Sequence, residues 1–302
     1  MRTPPATATV TATAALPDRY AVLGHPVAHS QSPFIHAEFA RQTGEAMVYG
    51  RVECAMAGFE AGMRGFIAGC DGPAGLGRAG GCNITVPFKF QVLPLAARAS
   101  QRALLAQAAN VLRFDADGWF ADNTDGSGLV RDLEQRAGLR LAGCRALLIG
   151  AGGAAAGVLG PLIEAGCAAI TVANRTPAKA QALVQRHADW AAMHGVMLRS
   201  SGLADAGARF DLVINSSASS LAGAAVPVPG SVLRPGSLAV DLMYGPDTQA
   251  FMDWARAHDA VGRDGLGMLV EQAAGAFALW RGIWPQTSPV LAALRARLAE
   301  RA

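Results

Sequence analysis

The run Ala146-Leu147-Leu148-Ile149-Gly150-Ala151-Gly152-Gly153-Ala154-Ala155 constrains this chain more than any other stretch. Four consecutive apolar residues read as a buried strand, and Gly150, Gly152 and Ala155 stand in the G-x-G-x-x-A spacing of a strand, tight turn and helix. The first glycine permits the turn and the second lets backbone approach a pyrophosphate. The helix N-terminus then offers amide donors and a partial positive charge to an anion. From Ala146 to Ile163 no residue is charged, which meets the length of a membrane helix. The central glycines and proline favour strand, turn and helix instead, and no membrane partner is expected.

The next strand, Ile170 to Ala173, is expected to end beside an adenosine ribose, where an NAD site usually carries an acid for the 2′-hydroxyl. This chain has Asn174, Arg175 and Thr176 there. With no carboxylate to repel it, a 2′-phosphate can be held by the Arg175 guanidinium through paired hydrogen bonds. Lys179, one turn into the following helix, adds a second positive charge on the same side. NADP is therefore the expected cofactor, with Gly150, Ala151, Gly152, Gly153 and Ala154 at its pyrophosphate.

A length of 302 residues, 51% of them hydrophobic, exceeds an ordinary single domain and points to two. Short apolar runs at Tyr20–Leu23, Val48–Val52, Cys82–Val86, Asn110–Phe114 and Trp119–Ala121 alternate with helix-like stretches such as Phe34–Gln42. That alternation predicts an α/β unit with a mostly parallel sheet. A second series, with strands at Arg145–Ile149, Ile170–Ala173, Leu212–Ile214 and Leu238–Asp241, predicts another. Helical periodicity is read over Gly126–Ala137, Gly265–Gly282 and Val290–Ala302. The expected division is a tail over 1–17, a substrate domain over 18–125 completed by helices in 266–302, and a Rossmann-type nucleotide domain over 126–265. The active site is expected in the cleft between them.

Composition removes other classes. A net charge of +3 with charged residues at 16%, and no basic run interleaved with aromatics, does not describe a nucleic-acid surface. Five cysteines, at 54, 70, 82, 144 and 167, form no CxxC pair and suit reduced thiols in a cytoplasmic protein better than a disulfide framework. Six scattered histidines lack ligand spacing, so no metal is expected. Residues 1–17 lack the aliphatic stretch of a signal peptide and read as a disordered tail. A monomer or a homodimer is expected.

A lysine follows the strand ending near Pro87, and Asp122-Asn123-Thr124-Asp125-Gly126 follows another strand. A strand-end lysine and a strand-end aspartate can meet over one pocket, although each alone is commonly a surface residue. Six segments taken together resemble the shikimate dehydrogenase family: Ser30-Gln31-Ser32-Pro33, Asn83-Ile84-Thr85-Val86-Pro87-Phe88-Lys89, Asp122 to Gly126, Gly150 to Ala154, Asn174-Arg175-Thr176, and Asp264-Gly265-Leu266-Gly267-Met268. The resemblance runs in order from Arg19 to the C-terminal region.

That resemblance implies reversible NADPH-dependent reduction of 3-dehydroshikimate to shikimate, with Lys89 and Asp125 as the acid/base pair. It implies that Ser30, Ser32 and Tyr244 bind the substrate carboxylate, and that Thr85, Asn110 and Gln272 bind ring hydroxyls. Leu242 and Gly265 would line the nicotinamide end of the cofactor. Hydride addition to a ketone builds negative charge on oxygen, which an ammonium group stabilises and can protonate. Val111, Gln101 and Gln249 depart from residues common in the family without removing a catalytic group. A quinate/shikimate dehydrogenase, a non-catalytic shikimate-binding paralogue and a folate-linked dehydrogenase are the neighbouring readings. Arg175 argues against the first, the presence of Lys89 and Asp125 against the second, and the paired serines against the third.

Overall fold

A computed structural model describes residues 16–69, 76–217 and 225–300, so nearly all of the expected N-terminal tail, and Cys70, lie outside the described residues. The first unit runs β1 (Asp18–Gly24), α1 (Ser32–Thr43), β2 (Met47–Glu53), α2 (Phe59–Ala68), β3 (Ala79–Ile84), β4 (Arg98–Ala99), α3 (Gln101–Ala106), β5 (Val111–Asp115) and β6 (Gly118–Asp122). Its sheet has the order β2-β1-β3-β5-β6-β4. β1 is parallel to both β2 and β3, and β4 is parallel to β6. β5 is antiparallel to both β3 and β6. The alternating apolar runs predicted every strand of this sheet except β4, but not the hairpin, whose turn enters β6 at Gly118 with φ of 116°, a conformation that suits glycine.

β3 begins three residues before the expected Cys82 because two glycines let large side chains cross the sheet there. A Cβ at Gly80 would fall 2.4 Å from the Tyr20 hydroxyl, and one at Gly81 would fall 2.3 Å from the Trp280 indole nitrogen. That indole donates to the Leu112 carbonyl at 2.9 Å. The strand stops at Ile84, although the Thr85 N–H still bonds to Leu23 at 2.9 Å.

The second unit holds α4 (Asp125–Gln135), β7 (Arg145–Ile149), α5 (Gly153–Glu164), β8 (Ala169–Ala173), α6 (Pro177–Arg186), α7 (Ala188–Met193), β9 (Met197–Ser201), β10 (Phe210–Asn215), β11 (Leu233–Asp241), α8 (Gln249–Ala257) and β12 (Val261–Arg263). Its six strands are all parallel, in the order β12-β11-β10-β7-β8-β9. The central strands β7 and β10 are almost wholly buried, as expected for a sheet covered on both faces. The chain order reverses at β7, so the crevice for a ligand opens beyond the C-terminal ends of β7 and β10. β9 and β12 carry no apolar run and escape a reading based on hydrophobic patterning. Both are edge strands, and β9 carries an exposed arginine, Arg199, of the kind that blunts sheet edges.

Helices α9 (Leu266–Arg281) and α10 (Thr287–Ala299) return to the first unit. Ile35 and Phe39 of α1 share a core with Val270, Phe277, Val290 and Leu294. α4 lies against α9 so closely that a Cβ at Gly128 would fall 2.6 Å from the Gln272 backbone nitrogen. Two buried carboxylates sit beside this contact. Asp132 receives two hydrogen bonds from Arg263, at 2.7 and 2.6 Å. Glu271 receives Arg131 at 3.1 Å and Arg136 at 2.6 Å. Arg131 also lies over the Trp284 ring at 4.4 Å. No described helix is long and apolar enough to cross a membrane.

Buried polar groups set two measurable features of stability. Arg263→Ala withdraws the main partner of a fully buried carboxylate and is expected to lower unfolding free energy by roughly 3 kcal/mol, measured by urea denaturation, whereas Asp132→Leu/Arg263→Met recovers most of the loss. His36 is fully buried, stacks on Tyr49 at 4.2 Å and is held neutral by burial, which pushes its pKa down to about 3. The unfolded chain therefore binds a proton below about pH 6.5 that the folded chain refuses, so stability falls as pH drops from about 6.5 toward 3. In His36→Leu the slope of stability against pH between 6.5 and 4 is expected to be shallower by about one proton.

Candidate active site

Lys89 lies in a short helical turn, Phe88–Phe90, just past β3, and Asp125 is the first residue of α4. Although 36 residues separate them, the Lys89 ammonium donates directly to Asp125 Oδ2, with side chains 15% and 6% exposed. Both are thus largely withdrawn from water, where their attraction is screened less than on a surface.

The aspartate is held from behind by Asn110, whose amide donates to Asp125 Oδ1 at 2.8 Å and to Gln272 Oε1 at 3.0 Å. The amide oxygen of Asn110 accepts from the Thr124 N–H at 2.8 Å and lies 3.3 Å from the Thr124 hydroxyl. With its amide hydrogens shared between Asp125 and Gln272, Asn110 acts inside the protein as a spacer that fixes both side chains. Gln272 donates in turn to the Leu269 carbonyl at 2.8 Å. Asn123 caps the turn by accepting from the Asp125 N–H at 3.2 Å and anchors itself by donating to the Ala108 carbonyl at 3.0 Å.

Asp122 braces the same turn. It receives Arg102 through two hydrogen bonds at 2.7 and 2.5 Å, the Ser100 hydroxyl at 2.6 Å and the Asn123 N–H at 2.7 Å. Burial alone would raise its pKa, but these donors hold the carboxyl below its ordinary value. Asn83, whose amide donates to the Asn110 carbonyl at 3.1 Å, Asn123 and Asp122 were legible as parts of motifs but not as members of this network. Asn83 stands two residues before Thr85, a spacing that puts both on one side of an extended segment and is the signal that could have found it.

The serines stand at the start of α1. Ser32 is buried, and its N–H donates to the Ser30 hydroxyl at 3.3 Å. The Tyr244 phenol, whose pKa burial raises, lies beside the backbone of Gln31, between the two serines. The three hydroxyl residues expected at a carboxylate are thus gathered around one turn, although Tyr244 belongs to the second half of the chain. Thr85 packs over Gly24, where a Cβ would fall 2.3 Å from its methyl group.

Gly150 follows β7 with φ of 110°, and a Cβ there would meet the Ser216 hydroxyl at 2.6 Å. At Gly152, the N-cap of α5, a Cβ would meet nothing within 4 Å. This leaves an open cradle at a helix N-terminus, which fits a pyrophosphate. The same helix faces the paired side chains. Positions Gly153 and Gly157 look toward Lys89 and Asp125 respectively, with Cβ distances of 3.6 Å to Lys89 Cβ and 3.2 Å to Asp125 Oδ2. Gly157 was not singled out from the sequence. Its spacing of four from Gly153 puts both on one helix face.

Asn174, Arg175 and Thr176 follow β8, and Asn174 donates to the Thr176 carbonyl at 2.9 Å. Arg175, Thr176 and Lys179 are exposed at the lip of the crevice, with Lys179 in the first turn of α6. No acid stands at the end of β8, so the residues present fit a phosphorylated ribose. On the other side of the crevice, a Cβ at Gly265 would fall 2.4 Å from the Leu242 carbonyl oxygen, and the Gly265 N–H donates to Met243 at 2.8 Å. Among the described residues no group of three or more His, Cys, Asp or Glu is arranged to hold a metal. Cys54, Cys82, Cys144 and Cys167 are free and buried.

Comparison with known proteins agrees with this geometry. Residues 22–112 match the family model for the shikimate dehydrogenase substrate binding domain, residues 132–223 that for shikimate / quinate 5-dehydrogenase, and residues 265–295 that for the shikimate 5'-dehydrogenase C-terminal domain. A shikimate dehydrogenase (NADP(+)) from Methylibium petroleiphilum is 60% identical over 285 residues, covering 94% of this chain and 96% of its own. An Ael1 enzyme from Pseudomonas putida superposes with a TM-score of 0.81 at 42% identity, over 92% of this chain and 98% of that one. Shikimate 5-dehydrogenase from Thermus thermophilus, in complex with NADP(H) and shikimate, gives a TM-score of 0.78 at 32% identity, over 92% of this chain and 99% of that one. With its glycine turn, its lysine and aspartate pair and its serine turn in these positions, the chain belongs to the shikimate dehydrogenase family.

Proposed function

We propose that this chain catalyses the reversible NADPH-dependent reduction of 3-dehydroshikimate to shikimate, in the biosynthesis of aromatic amino acids. The observation that carries the reading is the direct contact of Lys89 with Asp125 beside the first turn of α5. The substrate domain is assigned to residues 18–125 completed by 266–302, and the nucleotide domain to 126–265. The enzyme is assigned to the cytoplasm as a monomer or homodimer.

Residues 150–154, Asn174, Arg175, Thr176 and Lys179 would hold NADPH, with Leu242 and Gly265 at its nicotinamide end, and the bound cofactor would supply the hydride. Lys89 then stabilises the negative charge that grows on the ketone oxygen, and a buried ammonium does so more strongly than one in water. Asp125 orients the lysine through their direct contact and accepts from the neighbouring ring hydroxyl. The proton that completes the alcohol comes from this pair. Thr85 and Gln272 meet further ring hydroxyls, each of which would cost about 1–3 kcal/mol if buried without a partner. Asn110 contributes by holding Asp125 and Gln272 at fixed separation. Ser30, Ser32 and Tyr244 take the carboxylate.

Initial rates of NADP reduction by shikimate test the reaction, and a purified protein that leaves NADP oxidised under saturating shikimate refutes it. Lys89→Ala is expected to lower kcat about a thousandfold while the Kd for NADP stays within about twofold of its original value. Arg175→Ser is expected to raise KM for NADP about tenfold to a hundredfold and leave KM for NAD nearly unchanged, because only the phosphorylated ribose loses charge-assisted hydrogen bonds.

A further inference from the structure

Ser30, Ser32 and Tyr244 are all uncharged, which leaves open what balances the charge of a carboxylate bound among them. β2 answers from the edge of the first sheet. Tyr49 and Arg51, two residues apart, lie on one side of that strand. The Arg51 guanidinium donates twice to the Ser30 carbonyl, at 3.2 and 2.6 Å. The Tyr49 hydroxyl donates to Asn83 Oδ1 at 2.6 Å and lies beside the Ser32 side chain. Both tyrosine phenols at the turn, Tyr49 and Tyr244, feel the positive charge of Arg51. Among the described residues no carboxylate lies within ion-pair distance of that guanidinium. The nearest acid along the strand, Glu53, is engaged by the His25 ring at 2.6 Å and by the Val27 N–H at 2.9 Å.

We infer that Arg51 is a positioning residue for the anionic end of the substrate: it fixes the Ser30 turn through the backbone and supplies the positive charge that the hydroxyl-lined carboxylate site lacks, while Tyr49 borders Ser32. This rests on the assignment of Ser30, Ser32 and Tyr244 to the carboxylate. An exposed guanidinium acting through one intervening residue works by partly screened attraction, so its contribution is a severalfold gain in affinity that salt removes. Turnover at saturation is untouched, because the charge is the same before and after hydride transfer.

The test is steady-state oxidation of shikimate at saturating NADP, at ionic strengths of about 0.01 M and about 1 M, between which the screening length falls from about 30 Å to about 3 Å. Arg51→Gln is expected to raise KM for shikimate about fivefold at low salt and to flatten its salt dependence, with kcat and KM for NADP within about twofold. Arg51→Lys keeps the charge and therefore the salt dependence. Tyr49→Phe raises KM at both salt concentrations alike, and the uncharged methyl ester of shikimate shows no salt-dependent difference between the Arg51→Gln variant and the parent. An unchanged KM in Arg51→Gln, or a raised KM with the salt dependence intact, overturns the role of the charge. Ser32→Ala separates the two assignments: an unmoved KM there overturns the carboxylate site itself, and with it the part given to Arg51.

Discussion

The contact between Lys89 and Asp125 is the interaction on which the rest of the site depends. An ammonium and a carboxylate removed from water must have each other and their remaining hydrogen bonds satisfied, or the burial is unfavourable by several kcal/mol. Asp125 accepts Asn110 on its other oxygen and has its own N–H taken by Asn123. Asn110 also reaches Gln272 on α9. One pair therefore ties together β3, β6, α4 and α9, and none of these can shift without disturbing it.

The ion cluster at the other end of α4 has a related effect. Asp132 is bound by Arg263 of the second sheet, and Glu271 of α9 by two arginines, Arg131 within α4 and Arg136 at its C-terminal end. α4 is thus pinned at its first turn by the contact of Lys89 with Asp125 and at its last turns by buried ion pairs. Such pairs contribute modestly to net stability, since desolvation offsets much of their attraction. What they contribute is placement: Arg131 and Arg136 join α4 to Glu271 of α9, and Asp132 joins it to Arg263 of β12.

Much of the architecture was legible because it follows from strong local rules. The strand Arg145–Ile149 and its glycine turn, the helices at 266–281 and 287–299, and the buried strands of both sheets all carry apolar patterns or special-backbone residues that leave few alternatives. β9 and β12 were not legible, since edge strands need little apolar surface. The antiparallel hairpin of β5 and β6 was missed because alternation along a chain does not state strand direction. In the site, residue types at motif spacing pointed to Lys89, Asp125 and the serines. The bracing by Asp122, Asn123, Tyr49 and Arg51 depends on contacts between distant segments and leaves no periodic trace. Asn110 illustrates the difference: sequence placed it at the site, but only coordinates show its amide spent on Asp125 and Gln272.

The two glycines of α5 carry a consequence of their own. Gly153, where the nucleotide turn enters the helix, abuts Lys89, and Gly157 abuts Asp125. Four residues of helix rise by roughly 6 Å, so the placing of the glycine turn against Lys89 and Asp125 is measured out by main chain rather than by side chains. A spacing written into helix geometry tolerates drift in the surrounding sequence. It also means that a chimera joining the first unit of one relative to the second unit of another keeps its reacting distances only if the small-residue face of this helix travels with the lysine and aspartate it touches.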